Sequence, residues 1–161
     1  MEKSSNFEES FKKVLMNEDD LGIVIRTHLH VEYEINQLLK VLVPVSEELD
    51  LDNLSYSQKV KILFIMGLRI DFKAMLISLG KLRNKFAHEL GFKLNLLAVN
   101  NLYDSLSETS KEVLHESYMK SIDKPAPTYE ELSVKDKFIL IVIVIINAIR
   151  ISKDEVKRQI S

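Results

Sequence analysis

Apolar residues recur at helical spacing through nearly the whole chain, and that period restricts the fold class before any single residue does. One stripe runs through Leu21, Val24 and Ile25, then Ile35, Leu38, Leu39 and Leu42. Positions three and four apart stack on one face of a 3.6-residue turn. A second stripe joins Phe72, Met75, Leu76, Leu79, Leu82, Phe86 and Leu90. Four glycines and three prolines in 161 residues leave little material for hairpins, so an all-α fold is expected. A chain of this length buries about two-thirds of its unfolded surface, enough for a core without disulfides or a structural metal. We expect one domain over 1–161, with a short first helix over 1–17, a bundle over 18–122 and a C-terminal core helix over 133–160.

Local signals place the helix ends. Ser5 with Glu8 three residues on is a capping box for the first helix, followed by Phe7, Phe11, Val14 and Leu15 at helical spacing. Acidic Glu18, Asp19 and Asp20 suit the positive end of a long second helix that Pro44 stops. Ser55 and Gln58 form a second capping box, opening a helix with Val60, Leu63, Phe64 and Met66 inward and Gly67 as its stop. Asp71 is expected to cap a helix over 71–90 that Gly91 terminates. Residues 95–106 and 107–122 read as two helices or one broken helix. The segment from Asp123 to Thr128, with two prolines, is a connector, and Ser133 with Asp136 caps the last helix. There, nine apolar residues run in succession from Phe138 to Ile146, making a very apolar C-terminal helix. The run falls short of the ~20 residues a membrane span needs, so a central core element is expected, with one side available to a dimer.

The absence of cysteine excludes disulfides, thiolate metal sites and thiol nucleophiles together. No paired histidines with a glutamate at metal-binding spacing and no glycine-rich phosphate loop occur, so neither a metal nor a cofactor is expected. The first six residues contain no apolar core, and a cytoplasmic protein is the default. The net charge of -2 hides a segregation. Residues 56–93 hold eight lysines and arginines against Asp71 and Glu89, a local charge of +6 that leaves about -8 on the remainder. The basic segment could meet RNA, whereas the acidic bulk suits a basic protein partner.

Inside that basic segment, Gly80 to Glu89 gathers Arg83, Asn84 and His88 into six residues. An imidazole that takes the proton of a ribose 2′-hydroxyl and a guanidinium that holds the phosphate are what a metal-independent ribonuclease needs. Asn84 could orient either group. Residues five apart on an ideal helix differ by about 140° in direction, so Arg83 and His88 share a face only if the helix loosens or a second chain supplies one of them. In the long second helix, His28 and Glu32 occupy positions that continue the apolar stripe. They either pair with each other or face the motif helix, where Arg83 could grip Glu32 in a bidentate pair. A structural reading of the same residues stays open, in which this network only locks two helices together. His30 and His115 are expected to face solvent.

Arg83-Asn84-Lys85-Phe86-Ala87-His88 resembles the arginine, four to six residues, histidine signature of the HEPN (higher eukaryotes and prokaryotes nucleotide-binding) superfamily. With the segments from Leu54 to Val60 and from Arg26 to Glu32, the chain is similar over residues 20–150 to the bacterial mannitol-operon repressor family. The resemblance implies an antiparallel helical bundle, often dimeric, in a cytoplasmic bacterial protein. Many superfamily members are ribonucleases, for which Arg83 and His88 would carry over as phosphate-holding and acid/base residues. The repressor branch is described as regulatory, and no helix-turn-helix or strongly basic recognition helix is evident here. The leading expectation is therefore a non-enzymatic protein acting by protein–protein binding, as a transcriptional regulator or a toxin-neutralising immunity protein. The alternative is a metal-independent ribonuclease using Arg83 and His88.

Overall fold

Short polar side chains start most of the helices. The computed structural model describes residues 10–43, 48, 50–120 and 127–160, and its regular elements are all helical. Helix α1 covers 10–16, α2 Asp20–Leu42, α3 Tyr56–Ile65, α4 Lys73–His88, α5 Leu96–Asp104, α6 Glu108–Lys120 and α7 Val134–Ile160. The Asp19 carboxylate accepts from the Gly22 amide at 2.6 Å and opens α2. Ser55 and Gln58 form the expected reciprocal box, the Ser55 amide donating to Gln58 Oε1 at 2.8 Å. Asn95 accepts from Ala98 at 2.9 Å to start α5, and the Asp136 amide donates to Ser133 Oγ at 3.1 Å. Each such cap satisfies an amide that has no partner inside the helix. Gly67 and Gly91 follow α3 and α4 with φ of +95° and +82°, where a side chain would be strained. Residues 96–120 are two helices. The expected box at Ser5 and Glu8, the stop at Pro44 and most of the 123–128 connector lie outside the described residues.

Helix α2 is the axis of the molecule. One side packs along α7 and the other against α3 and α4, while α5 joins α4 to α7 and α6 lies on α7. Ile23, Val24, Val31, Ile35, Leu38 and Leu39 of α2 are buried in one cluster with Leu63, Met75, Leu76 and Leu79 of α3 and α4. Phe138, Ile139, Ile141, Val142, Ile145, Ile146 and Ile149 of α7 close the same cluster. Burying side chains of this size is worth roughly 1.5–3 kcal/mol each. Among the described residues, no helix is long and apolar enough to cross a membrane.

Packing on two sides explains where the single-stripe reading of α2 fails. Ile23 is fully buried although it lies off the expected stripe, and Leu21, which lies on it, is half exposed. Three further expectations are corrected. Asp71 does not cap the motif helix: it sits in a 3-10 turn over Ile70–Phe72 and pairs with Arg69 at 2.7 Å, and α4 begins at Lys73. Leu90 is fully exposed and Met66 is exposed, because α4 ends at His88 and α3 at Ile65, which carries both residues off their helical faces.

Candidate functional site: a basic groove between three helices

Where α3 and α4 lean on the first half of α2, they leave a groove of about 910 Å³. His28 and Glu32 line it from α2, Tyr56, Lys61, Phe64 and Ile65 from α3, and Ile77, Lys81, Arg83 and Asn84 from α4. A glycine permits the close approach of α3 to α4. A Cβ on Gly80 would lie 2.8 Å from Tyr56 Cε1, so the ring lies on bare backbone. The Tyr56 hydroxyl donates to the Leu76 carbonyl at 2.9 Å, and burial pushes its pKa far above the usual phenol value.

The expected partner of Glu32 was Arg83, and the structure supplies a different one. Lys59, buried in α3, donates to Glu32 Oε1 at 2.6 Å. Lys59 lies one turn into α3 and is buried. Arg83 instead donates to Asn84 Oδ1 at 3.2 Å. His28 is only 5% exposed, with its ring 4.4 Å from that of Tyr56 and its Nδ1 3.8 Å from Glu32 Oε2. Burial holds its pKa down at about 4, an effect that Glu32 opposes and that Arg83 and Lys59 reinforce. The imidazole is therefore neutral at neutral pH. Its Nε2 is buried without a hydrogen-bond partner among the described residues.

Four of the five residues singled out from the sequence, His28, Glu32, Arg83 and Asn84, thus line one groove. His88 does not. It is exposed on the last turn of α4, consistent with the ~140° that separates it from Arg83 on an ideal helix. His115 is also unlike its expectation: it is half-buried, with Nε2 2.9 Å from the Tyr103 hydroxyl and its ring against Tyr129. His30 is exposed, but its ring meets Phe11 edge-on at 4.7 Å.

Three functional features escaped the sequence reading. Lys59 and Tyr56 belong to the basic segment and to the segment from Leu54 to Val60, but nothing local marks Lys59 as the partner of Glu32 or the Tyr56 ring as part of a groove wall. Glu34 is buried and takes Arg150 Nε at 2.8 Å and Lys153 Nζ at 3.2 Å, tying α2 to α7. A glutamate two residues from Glu32 points to the opposite side of the helix, and that periodicity was the available signal. No group of three or more histidine, aspartate or glutamate side chains suited to a metal occurs among the described residues.

Chemically, the groove offers an apolar wall, Lys61, Lys73, Lys81 and Arg83 around it, and a single carboxylate already neutralised by Lys59. Comparison with protein-family models, with curated proteins and with solved structures returned no match.

Proposed function

We propose that this chain is a HEPN-like antiparallel bundle of the mannitol-operon repressor type, cytoplasmic, which acts by binding another protein as a regulator or as a toxin-neutralising protein. The observation that carries this reading is the groove's mixture of exposed aliphatic side chains and cations without an ion-pair partner among the described residues. Ile65 is 81% exposed and Ile77 is also exposed, close to Lys61 and Lys81. Apolar anchors ringed by polar groups mark protein-binding surfaces. The catalytic alternative draws less support from this arrangement, because His88 lies outside the groove to which Arg83 contributes.

The test is an affinity capture of the full chain from its host, with cross-linking and quantitative mass spectrometry. A stoichiometric protein partner is expected. Recovery of none, together with EDTA-resistant cleavage of total RNA that His88→Ala abolishes, would replace this reading with the ribonuclease.

A further inference from the structure

We propose that the groove between α2, α3 and α4 seats an acidic amphipathic helix of the partner. This deepens the protein-binding reading and rests on it.

The groove has the features of a helix-in-groove site. Its α3 wall is ten residues long, about 15 Å, which matches two to three turns of a docked helix. Ile65, Ile77 and Phe64 offer apolar contacts along it, suited to anchors at i, i+3 or i+4, and i+7. Charge selects the flanks of that helix. Lys61, Lys81 and Arg83 lie on the groove with no carboxylate partner among the described residues, and Glu32 is held by Lys59. Glutamates or aspartates beside the apolar anchors would complete them.

The same charges argue against a second copy of this chain as occupant. A two-fold contact through the groove would set these cations against their own symmetry mates. RNA fits less well for a different reason. Bases bind by stacking on free aromatic faces, but the Tyr56 ring is held between His28 and Gly80, and Lys73 Nζ lies over the Phe64 ring at 5.8 Å.

The probe is a fluorescein-labelled helical peptide of about 18 residues, with leucines on one face, glutamates beside them and glutamines between the leucines. It is titrated by anisotropy against the full chain. Comparators are a scramble of the same composition, a lysine-for-glutamate version and a single-stranded RNA. The patterned acidic peptide is expected to bind, and about tenfold more weakly to Lys81→Glu and to Ile65→Asp. Both substituted side chains are exposed, and unchanged melting curves establish that the variants remain folded. Equal binding of the scramble, tighter binding of RNA, or a dimer that Ile65→Asp dissolves would each overturn the proposal.

Capture from the host separates the two levels of the argument. A partner kept by the Lys61→Glu, Lys81→Glu double variant refutes the groove and leaves the protein-binding reading standing. Its loss from that variant supports both. A wild-type chain that captures no partner refutes both readings.

Discussion

Helix α2 carries two charged clusters on opposite sides, and they differ in how completely they are satisfied. Toward α7, Glu34 is buried and both carboxylate oxygens are taken, one by Arg150 and the other by Lys153. Toward α3, Lys59 satisfies Glu32, while His28 beside them, a residue that lines the groove, keeps a buried Nε2 without a partner among the described residues. The deep member also differs. It is a carboxylate in the first cluster and a lysine with a histidine in the second, whereas Glu32 and Arg150 are each about a quarter exposed. A completed network locks two helices together, and an incomplete one leaves chemistry for something to bind.

The largest expected effect comes from removing both cations of the completed cluster. Arg150→Ala with Lys153→Ala leaves Glu34 charged and uncompensated in the core, which costs roughly 3–5 kcal/mol. Urea denaturation should show that loss, with the double variant well below the sum of two mild single variants. A loss under about 1 kcal/mol would mean that Glu34 reaches water and that the two clusters are not different in kind. The counterpart on the groove side is Glu32→Gln, which strands buried Lys59. The expected loss is smaller, about 2–3 kcal/mol, because the amide oxygen can still accept from the lysine.

Acid separates the clusters through His28. Its pKa is lowered from 6.5 to about 4 in the folded chain. The unfolded chain therefore binds the proton first, and the stability this group contributes is complete above pH 6.5 and lost as pH falls toward 4. Between pH 6.5 and 5 the wild type should lose about 1.5 kcal/mol more than His28→Leu, the slope rising toward 1.36 kcal/mol per pH unit as the unfolded imidazole fills with protons. His30, also lowered by burial and by Arg150, is present in both proteins, so the difference isolates His28. Parallel stability profiles would place His28 in water.

How much of this was legible in the sequence depends on what each inference required. Caps at Ser55 and Ser133 and stops at Gly67 and Gly91 were readable because capping chemistry is local. Asp71 misled for the same reason. The capping signal is identical whether the next residues begin an α-helix or a 3-10 turn that Arg69 holds. The burial of Ile23 and Glu34 was not readable, since a helix packed on two sides shows no single stripe. The site was half legible. His28 and Glu32 betrayed themselves as ionisable groups on an apolar face, but choosing Lys59 over Arg83 as the partner required the crossing geometry of α2 and α3, which no local pattern contains.

The smallest effect tests what holds the groove open. Gly80→Ala gains about 1 kcal/mol of helix propensity, so on α4 alone it should stabilise. Its new methyl, however, would lie 2.8 Å from Tyr56 Cε1 and 3.1 Å from Cδ1. The ring must then move away from α4, giving up the 2.9 Å bond to the Leu76 carbonyl and its place against His28. Overpacking costs roughly 1–3 kcal/mol and a lost hydrogen bond about 1 kcal/mol. We expect a net destabilisation of about 1 kcal/mol, seen as a melting temperature lower by about 2–4 °C. A double-mutant cycle assigns the cause. In a Tyr56→Leu background the ring is gone, and Gly80→Ala should become neutral or stabilising. If Gly80→Ala stabilises the wild type as well, the Tyr56 ring is free to yield, and the wall in which His28 sits is not held by the contact between α3 and α4.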